Sequence, residues 1–135
     1  MATFTGVVRT LIDAGTGGPK RADLGNLIFQ TDTYEATGEA IASVLKLGKI
    51  LPTNSSAVEV ILAFDALGAS STLAVGDATD PDRYITATSS SSAGVVRINA
   101  ISGLNFLNTA ATDILITTAG GTITGTIAMT VIYTA

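Results

Sequence analysis

From Gly121 to Ala135 the chain alternates. Ile123, Gly125, Ile127, Met129, Val131 and Tyr133 fall on one side, and Thr122, Thr124, Thr126, Ala128 and Thr130 on the other. A period of two places successive side chains on opposite faces, so this stretch predicts a long antiparallel strand with one face in a core and a threonine ladder on the other. Upstream, Asp113 to Thr118 is a shorter apolar run, and Ala119-Gly120-Gly121 between them has turn chemistry, which together predict a hairpin. Ala57 to Asp65 repeats the alternation, with Val58, Val60, Leu62 and Phe64 against Glu59, Ala63 and Asp65. Ile61 on the second side implies that this face is partly covered. The expected core set is therefore Val58, Val60, Leu62, Phe64, Ile123, Ile127, Met129 and Val131.

Thr3 to Ile12, Asn26 to Tyr34, Ser71 to Val75, Tyr84 to Thr88 and Val95 to Ala100 are further short runs rich in Val, Ile, Thr or aromatic residues. Clusters of turn formers separate them, at Gly15 to Pro19, Pro52 to Ser56, Gly76 to Asp82 and Ser89 to Ser92. Residues 36–51 fit two patterns. Ile41, Ser43, Leu45, Leu47 and Lys49 could share a strand face, whereas Ile41, Val44 and Leu45 with Ala40 and Ala42 form a helical stripe; Gly38 and Gly48 weigh towards a strand. Asn99 to Asn108 is irregular, with room for one helical turn. Eight or nine strands at this spacing predict an all-β, antiparallel β-sandwich of jelly-roll-like type with at most one short helix, and residues 1–135 read as a single domain.

Composition changes what that sandwich must do. Of 135 residues, 47% are hydrophobic and only 13% are charged, against about 25% charged in ordinary soluble domains. A domain of ~150 residues leaves roughly a third of its unfolded-chain surface exposed, so some apolar surface is expected to meet other protein. No run approaches the ~18 apolar residues of a membrane-spanning helix. The opening Met1-Ala2-Thr3-Phe4-Thr5-Gly6 lacks a basic region followed by an apolar core, so no secretory signal is expected. A net charge of -4 and a pI near 4.4 speak against nucleic acid as a partner.

Candidate chemistry is sparse. With no His and no Cys, thiolate metal sites and the usual neutral-pH proton-transfer groups are missing, and no Ser-x-x-Lys motif offers a base for a serine nucleophile. No catalytic residue, cofactor or metal site is expected. Asp77, Asp80 and Asp82 gather three carboxylates in six residues, as hard-cation sites do, but without the Gly and distal Glu of a calcium loop; the expectation is a solvated turn. Gly15-Thr16-Gly17-Gly18-Pro19-Lys20-Arg21 fails as a phosphate loop, since Pro19 removes an amide and no Ser or Thr follows the Lys. Asn54-Ser55-Ser56 matches a glycosylation pattern by chance in a turn.

One resemblance covers Gly38 to the C-terminus. It is carried by the order of Gly38-Glu39-Ala40-Ile41-Ala42-Ser43-Val44-Leu45-Lys46-Leu47-Gly48-Lys49-Ile50-Leu51-Pro52, Val58 to Asp65, Leu73 to Ile85, and the closing Gly125-Thr126-Ile127-Ala128-Met129-Thr130-Val131-Ile132-Tyr133. This order resembles small virion structural proteins of tailed bacteriophages, capsid decoration or cement proteins in particular. The resemblance implies a β-sandwich protomer, made in the host cytoplasm, that forms a homo-oligomer, most often a trimer. It implies binding to the major capsid protein at the capsid surface of the virion. A head-tail connector, tail or fibre subunit, the last with glycan binding, is the alternative. Aromatics at 5% and the absence of Trp speak against sugar stacking. Residues 1–12, with Phe4, Val7, Val8, Leu11 and Ile12, read as an oligomerisation or attachment arm, because such side chains are costly to leave in water at ~25 cal/mol per Å².

Overall fold

The computed structural model describes residues 27–134; the strand expected at Thr3 to Ile12, the Gly15 to Arg21 loop and the arm at residues 1–12 lie outside them. Nine strands run in chain order as β1 (Leu27–Glu39), β2 (Val44–Lys46), β3 (Ser55–Phe64), β4 (Thr72–Gly76), β5 (Ile85–Ser89), β6 (Gly94–Arg97), β7 (Leu107–Asn108), β8 (Leu115–Ala119) and β9 (Ile123–Thr134), with a 3-10 turn at Ile101–Gly103. They form two antiparallel sheets. Sheet A has the order β1-β9-β3-β6, with β7 also pairing with β3, and sheet B has the order β2-β8-β4-β5. The all-β antiparallel sandwich expected from the sequence is the fold observed.

Alternation explains the core. Val60, Leu62, Ile123, Ile127 and Val131 of sheet A and Leu73, Val75, Ile85 and Ile116 of sheet B are fully buried and belong to one apolar cluster between the sheets. At β9 the period of two holds for the whole strand, since every inward position from Ile127 to Tyr133 is buried. Phe64 and Met129 are also buried as expected.

Two expectations about strands are corrected. Val58 is not core: it is 49% exposed. The register between β3 and β9 slips between Ala57 and Glu59, so Val58 is the extra residue of a bulge, and Ala57 takes the inward position that simple alternation would give Val58. Nor do Asp113 to Thr118 and Gly121 to Ala135 form a hairpin. β8 pairs with β2 and β4 while β9 pairs with β1 and β3, so the connection crosses from one sheet to the other. Its corner is packed against the loop at residues 68–71: Gly120 has φ +78°, and a Cβ there would collide with the carbonyl oxygen of Ser70. Both strands feed the same core from opposite sides, a distinction that alternation does not encode.

Residues 36–51 are strand and turn, not helix. β1 continues to Glu39, Ala42 turns the chain at φ 65°, and the short β2 follows. The Ala42 N–H donates to the carbonyl of Thr118, and the Ser43 N–H donates to the buried Thr118 hydroxyl, which fixes β2 beside β8. Leu45, Leu47 and Leu51 then point into the core while Ile41 stays exposed. The helical turn expected within Asn99 to Asn108 is the 3-10 turn.

Candidate assembly surface

Two regions of the described residues carry side chains whose roles the fold alone does not dictate: a polar corner at one end of sheet B and the outward face of sheet A.

The polar corner holds the aspartates singled out in the sequence. Asp77 is only 4% exposed, which corrects the expectation of a solvated turn. Its carboxylate accepts from the Arg83 Nε–H and from the backbone N–H groups of Thr79 and Asp80, at 2.8 and 2.9 Å. Burial alone would push this carboxyl up, but the Arg83 hydrogen bond and the two amides outweigh it and hold the group below the ordinary carboxylate range. Arg83 also lies 3.7 Å from Asp80 and stacks on Phe106, with 3.7 Å from the guanidinium carbon to the ring centroid. Asp82 is exposed and takes no part. The turn closes tightly because residue 76 is Gly, where a Cβ would strike the carbonyl of Asp80.

Behind this pair, Tyr84 is fully buried and its hydroxyl is pushed up by burial first and by the Asp77 charge second. Asn108 donates to the carbonyl of Ser55 at 3.2 Å. An open depression beside the corner is lined by Lys46, Arg83, Phe106, Asn108 and Thr112. Its charges answer one another, since Lys46 pairs with Asp113 at 2.9 Å and Arg83 with Asp77. The charges of the corner are thus answered within the chain, whereas the buried Tyr84 hydroxyl and Asn108 Oδ1 have no hydrogen-bond partner among the described residues. Sequence reasoning missed Arg83, Tyr84 and Phe106 as its members; the signal was present only as an Arg six residues after an Asp across a Pro-containing turn.

The outward face of sheet A is the reverse case. Registers place residues in rows across the strands: Leu27, Thr134, Ser56 and Leu107; then Phe29, Ile132 and Glu59; then Thr31, Thr130, Ile61 and Arg97; then Thr33, Ala128, Ala63 and Val95. Directly opposed residues on antiparallel strands share a face. Phe29 is 68% exposed and Val95 67% exposed, and Leu27 and Leu107 are also exposed. Charge is scarce: Glu59 and Arg97 pair with each other at 3.0 Å, and Glu35 accepts from the Thr126 hydroxyl. Thr31 and Thr130 bond to each other at 2.9 Å. A broad sheet face of threonine, alanine and exposed large apolar residues, with few charges, has the composition of a contact surface. The sequence pointed to it through the threonine ladder of β9, but not through Phe29. The run Leu27-Ile28-Phe29 allowed no choice of face.

No protein-family model matches the chain, and no curated protein sequence matches it. Solved structures do. The chain is similar to one in the capsid asymmetric unit of cyanophage Pam1, at 24% identity and a TM-score of 0.70 over 82% of this chain and 85% of that one. It is similar to a chain in the capsid of Ralstonia phage GP4, at 25% identity and a TM-score of 0.66 over 82% and 84%. It also matches one in the acid-stable capsid of the Helicobacter pylori bacteriophage KHP30, at 13% identity and a TM-score of 0.61 over 81% and 87%. The resemblance to phage virion structural proteins read from the sequence is therefore met by the fold, which recurs in the capsid structures of three phages.

Proposed function

We propose that this protein is a structural component of a bacteriophage virion that binds and stabilises the capsid shell as a decoration or cement protein. The observation that carries this reading is the broad, charge-poor outer face of sheet A, with its exposed large apolar side chains, on a fold found in phage capsids. A cement protein stabilises a shell by binding the assembled state, and each added copy shifts the equilibrium away from free subunits by mass action. Flat β surfaces of Thr and Ala suit that role because they bury area closely without desolvating unpaired charge. In this reading the protein works without catalysis, as a homo-oligomer with a trimer preferred, on the capsid surface and against the major capsid protein. The test is co-sedimentation of the purified protein with empty shells of its own virus, together with the melting temperature of those shells. Saturable binding with a rise in shell melting temperature is expected. A protein that neither pellets with the shells nor shifts their melting would overturn the reading.

A further inference from the structure

We propose that the outer edge of β1, which no strand among the described residues pairs with, accepts residues 3–12 of a second copy of this chain as an added strand. The proposal concerns copies of the chain in solution and stands apart from the capsid reading.

The two edges of sheet A are unlike. On the β3 side the edge is broken into the four-residue β6 and the two-residue β7, with the bulge at Val58 between the positions they pair with. Short, interrupted edges of this kind resist further pairing. On the other side β1 runs for 13 residues, pairs with β9 along its length, and holds its register from Leu27 to Thr37. It contains no proline, and no strand among the described residues pairs with its second side. The strand is also anchored for such use. Gln30 exchanges hydrogen bonds with the backbone of Lys49, and Asp32 accepts from the Gly48 N–H at 2.8 Å, so β1 is tied to the loop after β2 as well as to β9.

The position and chemistry of the preceding residues fit that edge. They enter β1 at Leu27, where Leu27, Ile28 and Phe29 are all exposed, on both faces of the sheet. Residues 3–12 supply Phe4, Val7, Val8, Leu11 and Ile12 among threonines, a composition suited to a pleated strand. Charges are complementary. β1 carries Asp32, Glu35 and Glu39 and no cation, whereas residues 1–12 carry Arg9 and no carboxylate. Strand addition supplies main-chain hydrogen bonds along the edge while side chains on one face set the register.

Linker length selects a second copy over the same chain. Fourteen residues, Asp13 to Asn26, separate Ile12 from Leu27, whereas hairpin loops are typically about 2–5 residues. Fully extended, such a linker reaches ~46 Å. A coil of fourteen residues spans roughly 20 Å. That is enough to reach a neighbouring copy and far longer than a tight return requires.

The absence of cysteine makes a clean test. Full-length protein carrying Thr33→Cys, at an exposed position of β1, is mixed with full-length proteins carrying Thr5→Cys, Gly6→Cys, Val7→Cys, Val8→Cys or Arg9→Cys. Mild oxidation follows, and Ala119→Cys at the exposed end of β8 serves as control. Disulfides need Cα atoms within about 7 Å, so the expected result is an interchain cross-link that is at least tenfold faster at alternate positions of the series and absent for the control. In parallel, protein beginning at residue 13 is expected to self-associate at least 100-fold more weakly in analytical ultracentrifugation, with the cooperative melting of the sandwich retained. Mixed proteins that stay unlinked throughout the series would overturn the proposal. So would a cross-link that forms only within one chain carrying both cysteines, which would assign the edge to the chain's own residues 3–12.

Discussion

The polar corner of Asp77, Arg83 and Phe106 and the outer face of sheet A differ in where their interactions end. In the corner every charge is answered from within the chain: the Asp77 carboxylate takes three donors, and the Arg83 guanidinium meets two carboxylates and a ring. On the sheet face charges are few, and Phe29, Val95, Leu27 and Leu107 are left against water. Exposed large apolar side chains on one contiguous sheet are stabilised only by something outside the described residues, whereas an internally closed ion-pair network stabilises only its own turn. The region densest in functional-group chemistry is therefore the structural one, and the chemically plain face is the one suited to a partner.

Substitutions should separate the two. The largest effect belongs to neither region but to the core that joins them: Ile127→Asp places an unpaired charge at a fully buried site. The cost is several kcal/mol, comparable to the stability of a whole domain, so circular dichroism should show an unfolded chain. Next is the corner. Arg83→Ala leaves Asp77 buried without its cation and should lower unfolding free energy by about 3–5 kcal/mol in urea titrations, with self-association of the folded fraction unchanged.

The same pair sets a pH dependence. Because the Asp77 carboxyl is held below its ordinary value of 3.8 in the folded state, the fold favours its charged form. The resulting stabilisation is present above that value and is lost as pH falls through the lower folded value. Wild-type stability should therefore decline on acidification below about pH 4, and Asp77→Asn should flatten that part of the curve in thermal melts while lowering stability near neutrality. If both proteins lose stability with the same slope, the corner is not the acid-sensitive element.

A smaller contrast lies within one strand. Val58 and Val60 belong to the same face by sequence alternation, yet the bulge exposes the first and buries the second. Val58→Thr should change unfolding free energy by no more than about 0.5 kcal/mol. Val60→Thr buries a hydroxyl among apolar neighbours and should cost about 1–3 kcal/mol.

That contrast marks where the sequence was legible. β9 could be read almost completely because each of its side chains from Ile123 to Tyr133 follows one period and one sheet, and the sandwich class followed from the number and spacing of such runs. Val58 was misread because a bulge inserts a residue without altering composition. The β8-β9 connection was misread because Gly120 and Gly121 serve a hairpin and a sheet-to-sheet corner equally well. What decides between them is the loop at residues 68–71 packed against the corner, a contact about fifty residues away in the chain. The candidate site was legible in part: scarce charge and the threonine ladder pointed to an uncharged contact surface. Burial of Asp77 depends on Arg83 folding back across Pro81, which no spacing rule distinguishes from an ordinary solvated turn.

The central claim is that sheet A, and not sheet B, presents the contact surface. Its most direct test is shell binding by paired variants: Phe29→Asp with Val95→Asp on sheet A, against Val44→Asp at an exposed site on sheet B. All three positions are exposed, so both proteins should melt close to the wild type, within an effect of about 1 kcal/mol. With empty shells of the virus, the sheet A variant should lose co-sedimentation and the Val44→Asp protein should keep it. Retained binding by the sheet A variant, or loss confined to Val44→Asp, would contradict the account.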